Sequence, residues 1–330
     1  MSLPPVLRDH LRLPVVAAPL FLISNPDMVI AQCKAGVVGS FPALNARPQE
    51  ELERWLTQIE AELAAHDQRH GDCSVAPFAV NQIVHRSNRR LEHDLDACVR
   101  HRVPIVITSL GARRDVNDAV HAYGGITLHD VINNSFARKA IEKGADGLIA
   151  VAAGAGGHAG VQSPFALVQE IRQWFDGPLL LSGAIARGAS IIAAQAMGAD
   201  LAYIGSPFIA THEANAVARY KQMIVDSSAQ DIVYSDFFTG VHGNYLRPSI
   251  VANGLDPDGL PPSQAANLDL GKLQSGPKAW KDVWGCGQGI GVVDRVVSTA
   301  ELVRRLSEEY EVGLQQIENR THAWRRKLSG

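Results

Sequence analysis

Short apolar runs alternate with amphipathic stretches through the first two thirds of the chain. The run PVVAA at 14–18 reads as a buried strand. Further strands are predicted at 37–40, 74–81, 104–111, 124–130, 146–153, 178–183 and 200–205. Helical periodicity fills the intervals at 26–35, 48–65, 87–101, 113–122, 133–143, 164–174 and 187–198. The first of these helices has Asn25 as its expected N-cap and Pro26 at its first position. The strands are continuous apolar runs rather than alternating ones, as expected for a parallel sheet covered on its faces. Eight such units predict closure into a (β/α)8 TIM barrel, an α/β fold; an open, doubly wound sheet is the alternative, and the count of eight decides against it.

The rhythm changes after Ser206. A helix at 212–227 leads into 228–283, rich in Gly, Pro and Asn and too long for a barrel loop. It reads as an inserted, mainly helical or irregular lobe near the C-terminus, packed over the barrel mouth on the substrate side. Residues 1–227 and 284–330 then form the barrel, with a charged closing helix at about 298–318.

Composition narrows the function. The 330 residues are 46% hydrophobic and 20% charged, enough for a large core and too apolar for disorder. A net charge of −3, from 31 basic and 34 acidic residues, argues against nucleic acid as a partner. Cys33, Cys73, Cys98 and Cys286 show no CxxC spacing, so the expectation is a reducing, cytoplasmic setting without disulfides. Arg8, Asp9 and Arg12 precede any apolar run, which does not suit a signal peptide, and no run is long enough to span a membrane. No HExxH occurs, and no two His or Cys residues sit at ligand spacing in a promising loop, so no metal is expected.

In such barrels chemistry sits at the C-terminal ends of the strands, and the turns after the seventh and eighth often hold a phosphate. The seventh predicted strand ends at Ser182 and Gly183, the eighth at Gly205 and Ser206. A single such turn is explained by tight βα geometry; two on adjacent strands point to backbone amides gripping a phosphate. No GxGxxG follows the first strand, which disfavours a Rossmann dinucleotide site. The loop after the sixth strand, AAGAGGHAGVQSP, sets His158 among small residues. There it could act as a general base or hydrogen-bond an anion. Asn81, Ser109 and His129 end strands and point by position to the same mouth, although Asn81 could equally be a turn cap. The glycine-rich VWGCGQGIG at 283–291 could lie against a ligand or act as a hinge. His85, His212 and His242 show nothing that separates them from surface histidines.

The segments 144–160, 179–211 and 283–291, in this order, resemble the nitronate monooxygenase family, formerly called 2-nitropropane dioxygenases. That resemblance implies an FMN-containing TIM barrel that oxidises alkyl nitronates, or nitroalkanes, with O2 to a carbonyl compound and nitrite. Carried over, Ser182, Gly183 and Ala184 match one phosphate turn, and Gly205 and Ser206 the other. Asn81 matches a flavin-contacting asparagine, and His158 with Gly157 before it the active-site loop. Gly287 and Gln288 match a flavin-proximal loop, while Ala18, Pro19 and His129 line the same cofactor site. Two positions depart from the family pattern: Ala17 stands where many members have Gln, and Asp130 follows His129 where quinone-reductase-like members have Lys. The second departure speaks against a pyridine-nucleotide reductase. An NAD(P)H-dependent flavin reductase acting on a quinone or enoyl thioester stays as the alternative. A non-catalytic FMN-binding barrel and a phosphosugar isomerase or aldolase stand behind it, and a homodimer is compatible with the chain.

Overall fold

A computed structural model describes residues 3–71, 75–263 and 279–328. Eight strands run parallel: Val15–Ala17, Gly39–Pro42, Phe78–Ile83, Ile105–Ser109, Ile126–Val131, Gly147–Val151, Leu179–Ser182 and Leu201–Ile204. Each pairs with its sequence neighbour from the second to the eighth, and the first pairs with the eighth. The ring closes between the first two strands. There the Ala17 N–H donates to the Val38 carbonyl (2.8 Å) and the Val38 N–H to the Val15 carbonyl (3.1 Å). The predicted barrel is therefore the observed fold.

Local chemistry explains the elements. The Asn25 side chain accepts from the Met28 N–H, Pro26 opens the first barrel helix, and Gly36 in a left-handed conformation ends it. Inside the barrel, Val16, Val38, Ala79, Ile107, Leu128, Ile149, Leu180 and Leu201 form one apolar cluster, plugged from below by Leu7 of the short helix Pro5–Arg8. Side chains alternate along a strand, so the next inward positions fall at the open end. They are Ala18, Ser40, Asn81, Ser109, Asp130, Val151, Ser182 and Tyr203, six of the eight polar. The inside thus changes from apolar to polar at one level, which places the mouth.

Some boundaries differ from the pattern-based ones. The second strand is Gly39–Pro42, shifted toward the mouth, because its ladder with the third strand runs from Gly39 opposite Phe78 to Pro42 opposite Asn81, while Val38 makes only a bridge to Val16. The closing helix runs Thr299–Leu328, well past 318; its distal part is mostly polar and carries little apolar periodicity to read. The inserted segment also holds more strand than expected. Ile232–Ser235 and Gly243–Leu246 pair antiparallel, and Gly243–Asn244 pairs with Gly157–His158 of the barrel loop. Tyr245, Ile250, Ala279 and Val283 make its core. Residues 264–278 of the lobe, and Cys73, lie outside the described residues; Cys33, Cys98 and Cys286 are free thiols buried in the protein. Among the described residues no helix is long and apolar enough to cross a membrane, and no cluster of His, Cys, Asp or Glu could hold a metal ion.

Candidate active site at the barrel mouth

A cavity of about 3270 Å³ opens between the C-terminal strand ends and the lobe. Every site residue singled out from the sequence lines it except Gln288. The Gln288 side chain is exposed and faces a shallow depression with Arg187 and Ser228 on the other side of the turn, while its amide donates to the Gly154 carbonyl (2.9 Å).

The two candidate phosphate turns follow the seventh and eighth barrel strands. After the seventh barrel strand Gly183 takes φ +155° and Ala184 takes φ +54°, and the Ala184 amide donates to the Gly154 carbonyl (3.2 Å). A Cβ on Gly183 would stand 3.0 Å from the Ala153 carbonyl oxygen, so the turn needs glycine. After the eighth strand Gly205 caps the short helix Ser206–Ile209. Among the described residues the amides of Gly183, Gly205 and Ser206 and the Ser182 hydroxyl have no hydrogen-bond partner. A phosphate is the kind of ligand that would use them. The Ser206 hydroxyl accepts from the Gly287 N–H (2.7 Å), which fastens the C-terminal loop to this turn. Glycine is required there too: a Cβ on Gly287 would lie 2.6 Å from the Gly154 carbonyl oxygen.

Across the mouth, Asn81 is buried and its Nδ2 donates to Ser109 Oγ (2.7 Å) and the Ile107 carbonyl (3.2 Å). Its Oδ1 stays available to a ring N–H. Asp130 lies beside them, and burial raises its pKa to about 6; hydrogen bonding from the Ser109 hydroxyl and the Leu110 amide opposes that rise. His129 occupies the opposite parity, bonded through Nδ1 to Thr108 Oγ1 (2.6 Å), and burial lowers its pKa to about 4. Ala17 is fully buried among outward-facing core residues, so Ala18 and Pro19, not Ala17, present the first strand to the mouth.

His158 sits at the junction of barrel and lobe. Gly157 before it takes φ +68°, and the Ala159 amide donates to the His242 carbonyl (3.2 Å). The imidazole Nε2 lies 2.9 Å from Thr239 Oγ1, and its ring meets Trp280 edge-on at 5.7 Å. The Thr239 hydroxyl donates to the Val241 carbonyl (2.9 Å), so it takes the Nε2–H as acceptor and leaves Nδ1 as the ring's free nitrogen. Burial lowers the His158 pKa to about 4.

Thr239 and Trp280 were not legible as site residues: both come from the lobe and follow no motif. Asp130 and Tyr203 had a signal, the alternation that puts them on the parity of Leu128 and Leu201.

The family model described as "Nitronate monooxygenase" matches residues 6–309. The chain belongs to the nitronate monooxygenase family. It is therefore an oxidoreductase of a family of flavin enzymes. A nitronate monooxygenase of Paraburkholderia phytofirmans is 25% identical, over 92% of this chain and 94% of that protein. A putative monooxygenase of Mycobacterium tuberculosis is 28% identical over 69% of this chain; the match spans 64% of that relative's length, under two thirds. The crystal structure of a nitroalkane oxidase from Streptomyces ansochromogenes superimposes with a TM-score of 0.79 at 23% identity, over 94% of this chain and 99% of that one. At that identity the likeness bears on the family's fold.

Proposed function

We propose that this family member is an FMN-dependent enzyme that oxidises alkyl nitronates with O2, giving a carbonyl compound and nitrite. The carrying observation is the convergence on one cavity of His158 with the unpartnered amides of Gly183, Gly205 and Ser206. Those amides and the Ser182 hydroxyl suit the phosphate of FMN, and Asn81 Oδ1 suits the N–H edge of its ring. Bound there, FMN supplies the electron transfer between substrate and oxygen.

The protein's own part is binding and charge control. His158 is neutral at pH 7 and its Nε2–H is committed to Thr239. A base with a pKa near 4 is poorly matched to removing a carbon-bound proton at neutral pH. This favours the preformed nitronate over the neutral nitroalkane as substrate. A nitronate near Nδ1 raises the proton affinity of the ring, and the imidazolium then holds the anion through Nδ1–H. Trp280 and the Thr239 bond fix the ring for that contact.

The test is the visible spectrum of the purified protein, followed by oxygen consumption with an alkyl nitronate in the absence of NADH and NADPH. A flavin spectrum with nitronate-dependent oxygen uptake supports the reading. A colourless protein that takes up no FMN overturns it. So does anaerobic bleaching by NADH or NADPH without nitronate turnover.

A further inference from the structure

The mouth holds a carboxyl that this reaction leaves unused. Asp130 shares the parity of Leu128, so its side chain enters the polar layer with Asn81, Ser109, Ser182 and Tyr203. No ion pair involves it among the described residues, although a lone carboxylate out of water is costly. The third strand brings Asn81, whose Nδ2 donates to Ser109 Oγ and leaves the Ser109 proton for Asp130. The fourth strand also brings the Leu110 amide, the sixth the apolar Val151, and the eighth the phenol of Tyr203, the titratable group that feels Asp130. On its own strand His129 is turned to Thr108. No cation is among these neighbours.

We propose that Asp130 controls the charge state in which a flavin held at this mouth is reduced. This rests on the FMN reading above. Two electrons and one proton convert the oxidised ring to a reduced anion, and a second proton from solvent makes it neutral. Protonated, Asp130 permits the anion. Ionised, it opposes the anion and makes reduction wait for the second proton. The side chain is a positioning and tuning group; it gives no electrons and forms no bond to the ring.

The experiment is an equilibrium reduction of the FMN-loaded protein with dithionite against a reference dye, from about pH 5 to about pH 9, comparing wild type with Asp130→Asn, Asp130→Lys and Ser109→Ala. Wild type and Asp130→Asn are expected to coincide at the acid end. Above about pH 7 they diverge, with the variant about tenfold easier to reduce. Asp130→Lys is easier to reduce throughout. Ser109→Ala loses the hydroxyl that favours the carboxylate and moves the divergence to higher pH. Asp130→Asn tracking wild type at every pH, or differing by a constant offset, overturns the inference. If that variant holds no flavin, Ser109→Ala decides, and an unchanged pH profile overturns the inference. A wild-type protein that holds no flavin overturns the proposed function and this inference together; a flavoprotein indifferent to residue 130 overturns the inference alone.

Discussion

His158 Nε2 and Thr239 Oγ1 lie 2.9 Å apart although 81 residues separate them in sequence. The bond joins the barrel's sixth βα loop to the lobe, and it fixes which ring nitrogen stays free. Replacing Thr239 with Val removes the acceptor and frees the tautomer. We expect kcat/KM on a nitronate to fall about tenfold in Thr239→Val and about 10²-fold or more in His158→Ala, with flavin content kept in both and Thr239→Ser close to wild type. Steady-state kinetics normalised to bound flavin checks this. Full activity in Thr239→Val would remove the lobe from the chemistry.

The clasp between Ser206 and Gly287 is expected to govern flavin retention rather than turnover. A Cβ on Gly287 would meet the Gly154 carbonyl oxygen at 2.6 Å and the Gly156 nitrogen at 2.8 Å, both backbone atoms with little room to give. Gly287→Ala should therefore open the loop and weaken FMN binding by tenfold or more, while far-UV circular dichroism of the barrel stays unchanged. Ser206→Ala, which loses only the hydroxyl, should show a smaller effect in the same direction. Equilibrium dialysis of FMN against each variant separates the two cases; equal affinity in all three proteins would remove this turn from the cofactor site.

The barrel could be read from the chain because its parallel strands are buried on both faces and leave continuous apolar runs, and because glycine and small residues mark the strand ends. Asn25 and Pro26 mark the start of one helix to the residue by capping chemistry alone. What stayed hidden depends on contacts distant in sequence. Thr239 and Trp280 reach His158 only after the lobe folds onto the barrel, and the strand Gly157–His158 is too short to carry a period. Asp130 stands out in the sequence for its identity, whereas its place inside the barrel follows from parity with Leu128. Gln288 illustrates the reverse: its neighbour Gly287 lines the mouth, but the turn carries the Gln288 side chain outward.

Gly188 gives a prediction about stability alone. It opens the helix Gly188–Met197, where helix propensity taken by itself favours alanine. Packing decides otherwise. A Cβ there would lie 2.2 Å from the Tyr310 nitrogen and 2.5 Å from the Leu306 carbonyl oxygen of the closing helix. The Gly188 amide also donates to Glu309 Oε2 (2.9 Å), and Arg187 pairs with Glu309 (2.7 Å). Gly188→Ala should cost about 1–3 kcal/mol and loosen the closing helix. Urea unfolding together with amide exchange over 299–313 measures both effects. A variant as stable as wild type would show that the helix docks more loosely than this contact implies.

Opposed pKa shifts in neighbouring residues give a signed pH dependence. His129 and His158 are lowered from 6.5 to about 4 by burial. Above pH 6.5 neither folded nor unfolded chain protonates them. As pH falls from 6.5 toward 4 the unfolded chain gains protons that the folded one refuses, so stability is lost. Asp130 is raised from 3.8 to about 6, also by burial, and acts in the other direction. As pH rises from 3.8 toward 6 the unfolded carboxyl ionises first, and stability is again lost. Asp130→Asn removes this second loss and leaves the histidines in place. The variant should match wild type below about pH 4 and exceed it above about pH 6 by roughly 1–3 kcal/mol, a range discounted because part of the side chain faces the cavity. It should also show the histidine-driven loss on acidification without its counterweight, hence more steeply. Urea midpoints of the flavin-free proteins at pH 4, 5, 6 and 7 test this. A gap between the two proteins that is the same at all four values would mean that Asp130 is not the group titrating in this window.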